Sequence, residues 1–111
     1  MNLLIRLLIS TLAIVVASKV VPGVFVESWT TAAIVAIVLG ILNTFLKPVL
    51  QILALPITIL TLGIFYFVIN VFIIYLATYL VDGFAISGFI SALIFGFVVS
   101  VVSAILGMFL D

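Results

Sequence analysis

The feature that most limits this chain is the length of its apolar stretches. Four of them, at about residues 3–21, 30–46, 64–81 and 89–110, are interrupted only by scattered small or polar residues and single cations. A helix needs ~20 mostly apolar residues to cross the ~30 Å hydrocarbon core of a bilayer, and each run is near that length. The chain also cannot dress a water-facing surface: a soluble domain carries roughly 25% charged residues, whereas only 5% of these 111 residues are charged. These facts predict a single all-α integral membrane domain over residues 1–111, with four transmembrane helices and membrane lipid as its surroundings.

The same shortage of polar groups narrows the chemistry. There is no His and no Cys, so the commonest nucleophile–base pairs and zinc sites are absent, as are disulfides. The three acids, Glu27, Asp82 and Asp111, lie beside predicted connectors or at the terminus. They read as water-interface residues rather than a carboxylate pair. No catalytic, metal or cofactor site is expected, and the chain reads as a non-enzyme. With a formal net charge of zero and no basic run, it does not read as a nucleic-acid binder.

The first run, Leu3 to Val21, ends at Pro22-Gly23. Arg6 ahead of Leu7 to Ala17 also fits the charged and apolar parts of a secretory leader. Leucines precede the Arg, however, and the sequence starts at Met1, so retention as a span is the expectation. Val24 to Glu27 reads as a short extended connector, Ser28 as a helix N-cap and Trp29 as an interfacial aromatic. Along the second run, Ala32, Ala36 and Gly40 recur every four residues, with Asn43 three further on. That spacing places them on one helical stripe, and small residues let helices approach closely in lipid. Ala92, Gly96, Ser100 and Ala104 make the same stripe in the fourth run.

Between these runs lies the most polar part of the chain. Lys47-Pro48 is expected to close the second span, and Pro56 interrupts the next apolar stretch. Residues 48–62 are too few to cross, so we expect a Pro-broken elbow, re-entrant or interfacial; one long kinked helix from Val49 to Val81 is the alternative. Asn43, Lys47, Gln51, Thr58, Thr61 and Asn70 surround this elbow. They read either as a junction that ties helices together or as the lining of a polar path.

An offset of 60 relates the two ends of the chain. It aligns Val21 and Gly23 with Val81 and Gly83, Trp29 with Phe89, Ala32 with Ala92, and Gly40 with Ser100. The expected architecture is therefore two similar hairpins in one orientation, joined by the elbow and related by an axis along the membrane normal. The stripes of spans two and four would meet at that axis. The two extended connectors, on the opposite side from the termini, would be free to pair as a small ribbon. Arg6 and Lys47 fall on the side of the N-terminus and Lys19 opposite them, which favours cytoplasmic termini and a multi-pass location in a bacterial inner membrane.

The motifs Asn43-x3-Lys47-Pro48, Leu55-Pro56-x-Thr58, Thr61-Leu62-Gly63-x-Phe65 and Ile69-Asn70 resemble those of the phage holin superfamily IV. Gly83-Phe84, Gly88-Phe89 and Ala92 resemble its later signature. That family also holds chromosomal membrane proteins of unknown function, some linked to envelope stress. The resemblance implies a four-helix inner-membrane protein, and the holin label implies permeabilisation by self-assembly; it carries over no catalytic or binding residue. Three functions are consistent with this reading. One is a holin-like or envelope-associated protein acting through helix packing and homo-oligomer formation. The others are a small channel or transporter with a polar path near the elbow, and a non-transporting scaffold for another membrane protein.

Overall fold

Because a chain in hydrocarbon must satisfy its backbone polar groups internally, the places where its helices stop decide its shape. The structure, a computed structural model, describes residues 2–110. Met1 and the terminal acid Asp111 lie outside them. In order, the elements are α1 (Leu3–Val20), β1 (Val24–Val26), α2 (Trp29–Ile41), a π-helical turn (Leu42–Leu46), α3 (Lys47–Leu53), α4 (Leu55–Leu60), α5 (Phe65–Leu80), β2 (Phe84–Ile86) and α6 (Phe89–Leu110). The chain is thus mostly helical, as expected, with one short two-stranded ribbon.

Among the described residues, three continuous helices are long and apolar enough to cross a membrane: Leu3–Val20, Trp29–Leu53 and Phe89–Leu110. The helix α5, with 16 residues, is shorter, about 24 Å at 1.5 Å per residue. The second helix runs beyond the expected end of its span at Leu46. Pro48 has no N–H for the carbonyl of Thr44, and its ring would crowd that turn of an α-helix. The chain absorbs this by widening one turn, with the Lys47 N–H reaching back five residues to the Leu42 carbonyl. The helix therefore continues to Leu53 and breaks at Ala54, so the break falls later than the expected elbow boundary at 48. Pro56 then sits in the first turn of α4, where its missing N–H costs little.

After α4 the chain reverses through left-handed backbone at Leu62 (φ 57°) and Gly63 (φ 91°). The Gly63 N–H returns to the Thr58 carbonyl at 2.8 Å, closing the helix end. This turn separates α4 from α5, so the single kinked helix from Val49 to Val81 does not form.

The two extended connectors pair antiparallel, with Val24 opposite Ile86, Phe25 opposite Ala85 and Val26 opposite Phe84. Reciprocal bonds flank them: the Glu27 N–H donates to the Gly83 carbonyl at 2.9 Å, and the Ser87 N–H to the Gly23 carbonyl at 2.8 Å. Each partner maps onto the other by the 60-residue shift, so the ribbon is locally two-fold symmetric about Phe25 and Ala85. Below it, α1 and α5 each pack against both α2 and α6, in the cyclic order α1–α2–α5–α6. The core follows the same offset: Ala32, Val35 and Ala36 are buried on α2, and Ala92, Phe95 and Gly96 on α6.

This packing corrects one expectation. The small stripes of spans two and four do not meet each other, because α2 and α6 lie diagonally across the bundle, each against α1 and α5. Ala32, Ala36, Ala92 and Gly96 receive those neighbours, while Gly40 and Ser100 are exposed beyond the core.

Gly23 and Gly83 have φ of 86° and 87°, where an L side chain costs roughly 1–2 kcal/mol. At Gly83 an added Cβ would also lie 2.9 Å from the Glu27 Cβ. Gly83→Ala should therefore lower stability by at least about 1 kcal/mol, read as an earlier unfolding midpoint in a detergent melt. Gly88→Ala, where a Cβ meets nothing within 4 Å, should leave that midpoint near wild type.

Candidate functional site

Of the six polar residues that surround the elbow in sequence, the fold gathers three. The Lys47 side chain, at the start of α3, reaches α5 and donates from Nζ to Asn70 Oδ1 at 3.2 Å. The pair lies in a cleft of about 870 Å³ between α3, α5 and α6, whose other polar lining includes Gln51 and Ser100. Its walls are mainly apolar, with Ile64, Phe67, Leu93, Ile94 and Phe97 among them.

Asn70 is held from the far side as well. A Cβ built on Gly96 would stand 2.5 Å from Asn70 Nδ2 and 3.2 Å from Ile74 Cδ1. Only glycine leaves room for the amide between α5 and α6. With its Oδ1 accepting from Lys47, Asn70 keeps its Nδ2 hydrogens as donors. Glu27 and Asp82, the acids among the described residues, flank the ribbon strands in the chain, far in sequence from this cleft. Among the described residues, the cleft's charged and amide side chains are one cation and two amides, with no anion.

The remaining candidates are placed elsewhere. Thr61 Oγ1 donates to the Thr58 carbonyl at 3.2 Å and accepts from the Phe65 N–H at 3.2 Å, bridging the break between α4 and α5. Thr58 is buried, and its Oγ1 has no hydrogen-bond partner among the described residues. Both threonines sit at the turn rather than in the cleft lining. Asn43 is exposed on the π-helical turn, beside Thr44, whose hydroxyl donates to the Gly40 carbonyl at 2.7 Å. Ser100, read from sequence only as a packing residue, lines the cleft, with its hydroxyl donating to the Gly96 carbonyl at 2.9 Å. Its 30-residue separation from Asn70 offered no local signal for that placement.

Comparison with known proteins places the chain among membrane proteins. The family described as "Mycobacterial 4 TMS phage holin, superfamily IV" matches residues 1–105. An uncharacterized protein of Streptomyces coelicolor is 39% identical over 88 residues, covering 76% of this chain and 70% of that protein. The uncharacterized membrane protein YvlD of Bacillus subtilis is 36% identical over 90 residues, covering 80% of this chain and 76% of that protein. No solved structure matches the chain.

The contact between Gly96 and Asn70 makes a direct test. Gly96→Leu should destabilise the helix bundle by about 1–3 kcal/mol, the usual cost of overpacking. Asn70→Ala should relieve part of that cost, so the double variant should unfold later than the sum of the two single effects implies. Reversible unfolding in mixed micelles of all four proteins measures the coupling.

Proposed function

The chain belongs to the superfamily IV phage holin family, and from that membership we propose a holin-like or envelope-associated inner-membrane protein that acts by helix packing and self-association. It spans the membrane four times as two similar hairpins in one orientation. The segment α3–α4 is the interfacial elbow between them, and the ribbon lies on the outer side. In support of this, the ribbon register and the buried positions of α2 and α6 follow one offset of 60. The termini face the cytoplasm, since Arg6 and Lys47 lie on their side and Lys19 opposite. The chain catalyses no reaction of its own.

One observation carries the self-association reading. Among the described residues, no side chain of 37–53 or 97–110 is fully buried; Val38, Leu39, Leu42, Val98 and Val99 still pack on the core, but the rest of these halves of α2–α3 and α6 faces outward. Gly40 lies on that surface with nothing within 4 Å of an added Cβ, and Asn43 beside it is exposed. In hydrocarbon, polar side chains normally face other helices, and small residues let a second helix come close. A second copy seated over Gly40 and Asn43 meets both requirements. The alternative of a polar path has less support, because Asn43, Thr58 and Thr61 lie outside the cleft that holds Lys47, Gln51 and Asn70.

Gly40→Leu combined with Asn43→Leu should leave the helical circular-dichroism spectrum and the monomer's melting midpoint unchanged, because neither residue touches the core. It should shift the cross-linked species in mild detergent from oligomer towards monomer. Dye entry into cells expressing the chain should fall in parallel. A monomeric wild-type chain, or leakage that is untouched by the double variant, would remove the support for this reading. Periplasmic and cytoplasmic reporters fused after Leu110 test orientation separately, with signal expected only from the cytoplasmic one.

A further inference from the structure

We propose that the cleft between α5 and α6 is a binding site for an anionic phospholipid of the leaflet nearest the termini. Its phosphate sits at Lys47 and one acyl chain lies along Phe67, Leu93, Ile94 and Phe97. The inference goes beyond self-association and does not depend on it.

Charge is the first support. Lys47 Nζ has one hydrogen-bond partner among the described residues, the neutral Asn70 amide. An ammonium has three N–H donors, so two stay free to meet an anion. The Asn70 Nδ2 hydrogens and the Gln51 amide add neutral donors on the same walls. A lysine held between transmembrane helices with no carboxylate beside it among the described residues matches the kind of basic pocket that takes lipid headgroups.

Position is the second. Lys47 lies 18 residues beyond Trp29, roughly 27 Å along the helix at 1.5 Å per residue, against a hydrocarbon core of ~30 Å. Asn70 is five residues into α5, about 8 Å from its start. The shortness of α5 draws the elbow, and with it the headgroup boundary, towards this pair. Above the pair the groove follows α6 from Ser100 up to Phe89, a run of about 17 Å, and its walls are overwhelmingly hydrocarbon. An anion at one end and an apolar channel at the other describe an amphiphile rather than a free ion.

The third support is that the cleft is local to this half of the molecule. At the offset of 60, Asn70 corresponds to Ser10 and Lys47 to Gly107. The corresponding interface, α1 against α2, is the more extensive one, and the cavity beside it, lined by Val15, Ser18 and Trp29, is only about 160 Å³. The opening between α5 and α6 thus coincides with the residues that would hold a headgroup.

The test uses the full chain, delipidated in a neutral detergent and then supplied with phosphatidylglycerol or phosphatidylcholine of identical acyl chains. We expect about one phosphatidylglycerol retained per chain by native mass spectrometry, with a raised melting midpoint, and little retention of phosphatidylcholine. Lys47→Gln should lower phosphatidylglycerol retention about fivefold, the effect of one cation near an anionic surface, and Lys47→Arg should preserve it. Ile94→Trp, which fills the groove and leaves Lys47 in place, should also lower retention. This second variant keeps the test decisive if Lys47→Gln folds poorly. Equal retention of both lipids, full retention by a folded Lys47→Gln chain, or stabilisation by inorganic phosphate to the same extent would each overturn the proposal. So would Phe97→Cys chains that cross-link to one another equally with and without phosphatidylglycerol, because a second copy would then occupy the groove.

Discussion

In hydrocarbon, a backbone N–H or carbonyl without a partner has no water to turn to. Every feature of this fold depends on how its helix interruptions meet that demand. At residues 21–28 and 81–88 the two breaks satisfy each other, because each connector is the other's β-strand. At Pro48 the helix widens by one residue and continues. At 61–64 the break is closed by Thr61 Oγ1 and by the Gly63 N–H returning to the Thr58 carbonyl. The ribbon has the widest consequence. By joining the ends of both hairpins it fixes α1, α2, α5 and α6 in one cyclic order, and it sets the tight core nearest itself.

That explains why the bundle is packed at one end and open at the other. Glycine at 23 and 83 lets the connectors cross closely, and the aromatic pair Phe84 and Phe95, with centroids 5.6 Å apart, sits just beneath. Further from the ribbon, nothing equivalent ties α2 to α6, and their later halves carry no buried residue. The elbow helices brace only α5 on that side. The fold therefore concentrates its own stability at the ribbon and leaves helix surface at the terminal end available for partners.

Much of this was legible in the sequence. Apolar run length located α1, α5 and α6 to within about a residue. Ser28 does cap α2, accepting from the Thr31 N–H at 3.2 Å. The connectors do pair. Two things were not legible, and each has a physical reason. Lys47-Pro48 reads locally as a helix stop, but a π-helical turn is an equally good answer to a proline, and it is the one this chain adopts. The stripe Ala32, Ala36, Gly40 reads as one surface, because periodicity records the face a residue occupies and not how far along the helix its neighbour extends. Its first two members are buried and its third is exposed. The candidate site was half legible for the same reason. Lys47, Gln51 and Asn70 converge because the turn after α4 brings α5 back against α3, whereas Thr58 and Thr61 are consumed by that turn.

A chain whose two ends mirror each other so closely also shows where to look for specialisation. Residues that serve the architecture recur at the offset of 60: Gly23 with Gly83, Ala32 with Ala92, Val35 with Phe95, Ala36 with Gly96, Ala17 with Ala77. Lys47 and Asn70 recur as Gly107 and Ser10, residues that could not make the same contact. The second hairpin also replaces Ala36 by Gly96, and that loss of one methyl group is what admits the Asn70 amide between α5 and α6. Packing alone does not require this set of differences, since α1 and α2 pack more extensively without it. A cation at the end of the first hairpin's second helix, with an amide to hold it and a glycine to make room for the amide on the second hairpin, forms a coordinated departure from symmetry. In a molecule otherwise built from repeated helix contacts, that departure is the part that packing leaves unexplained and that a ligand would explain.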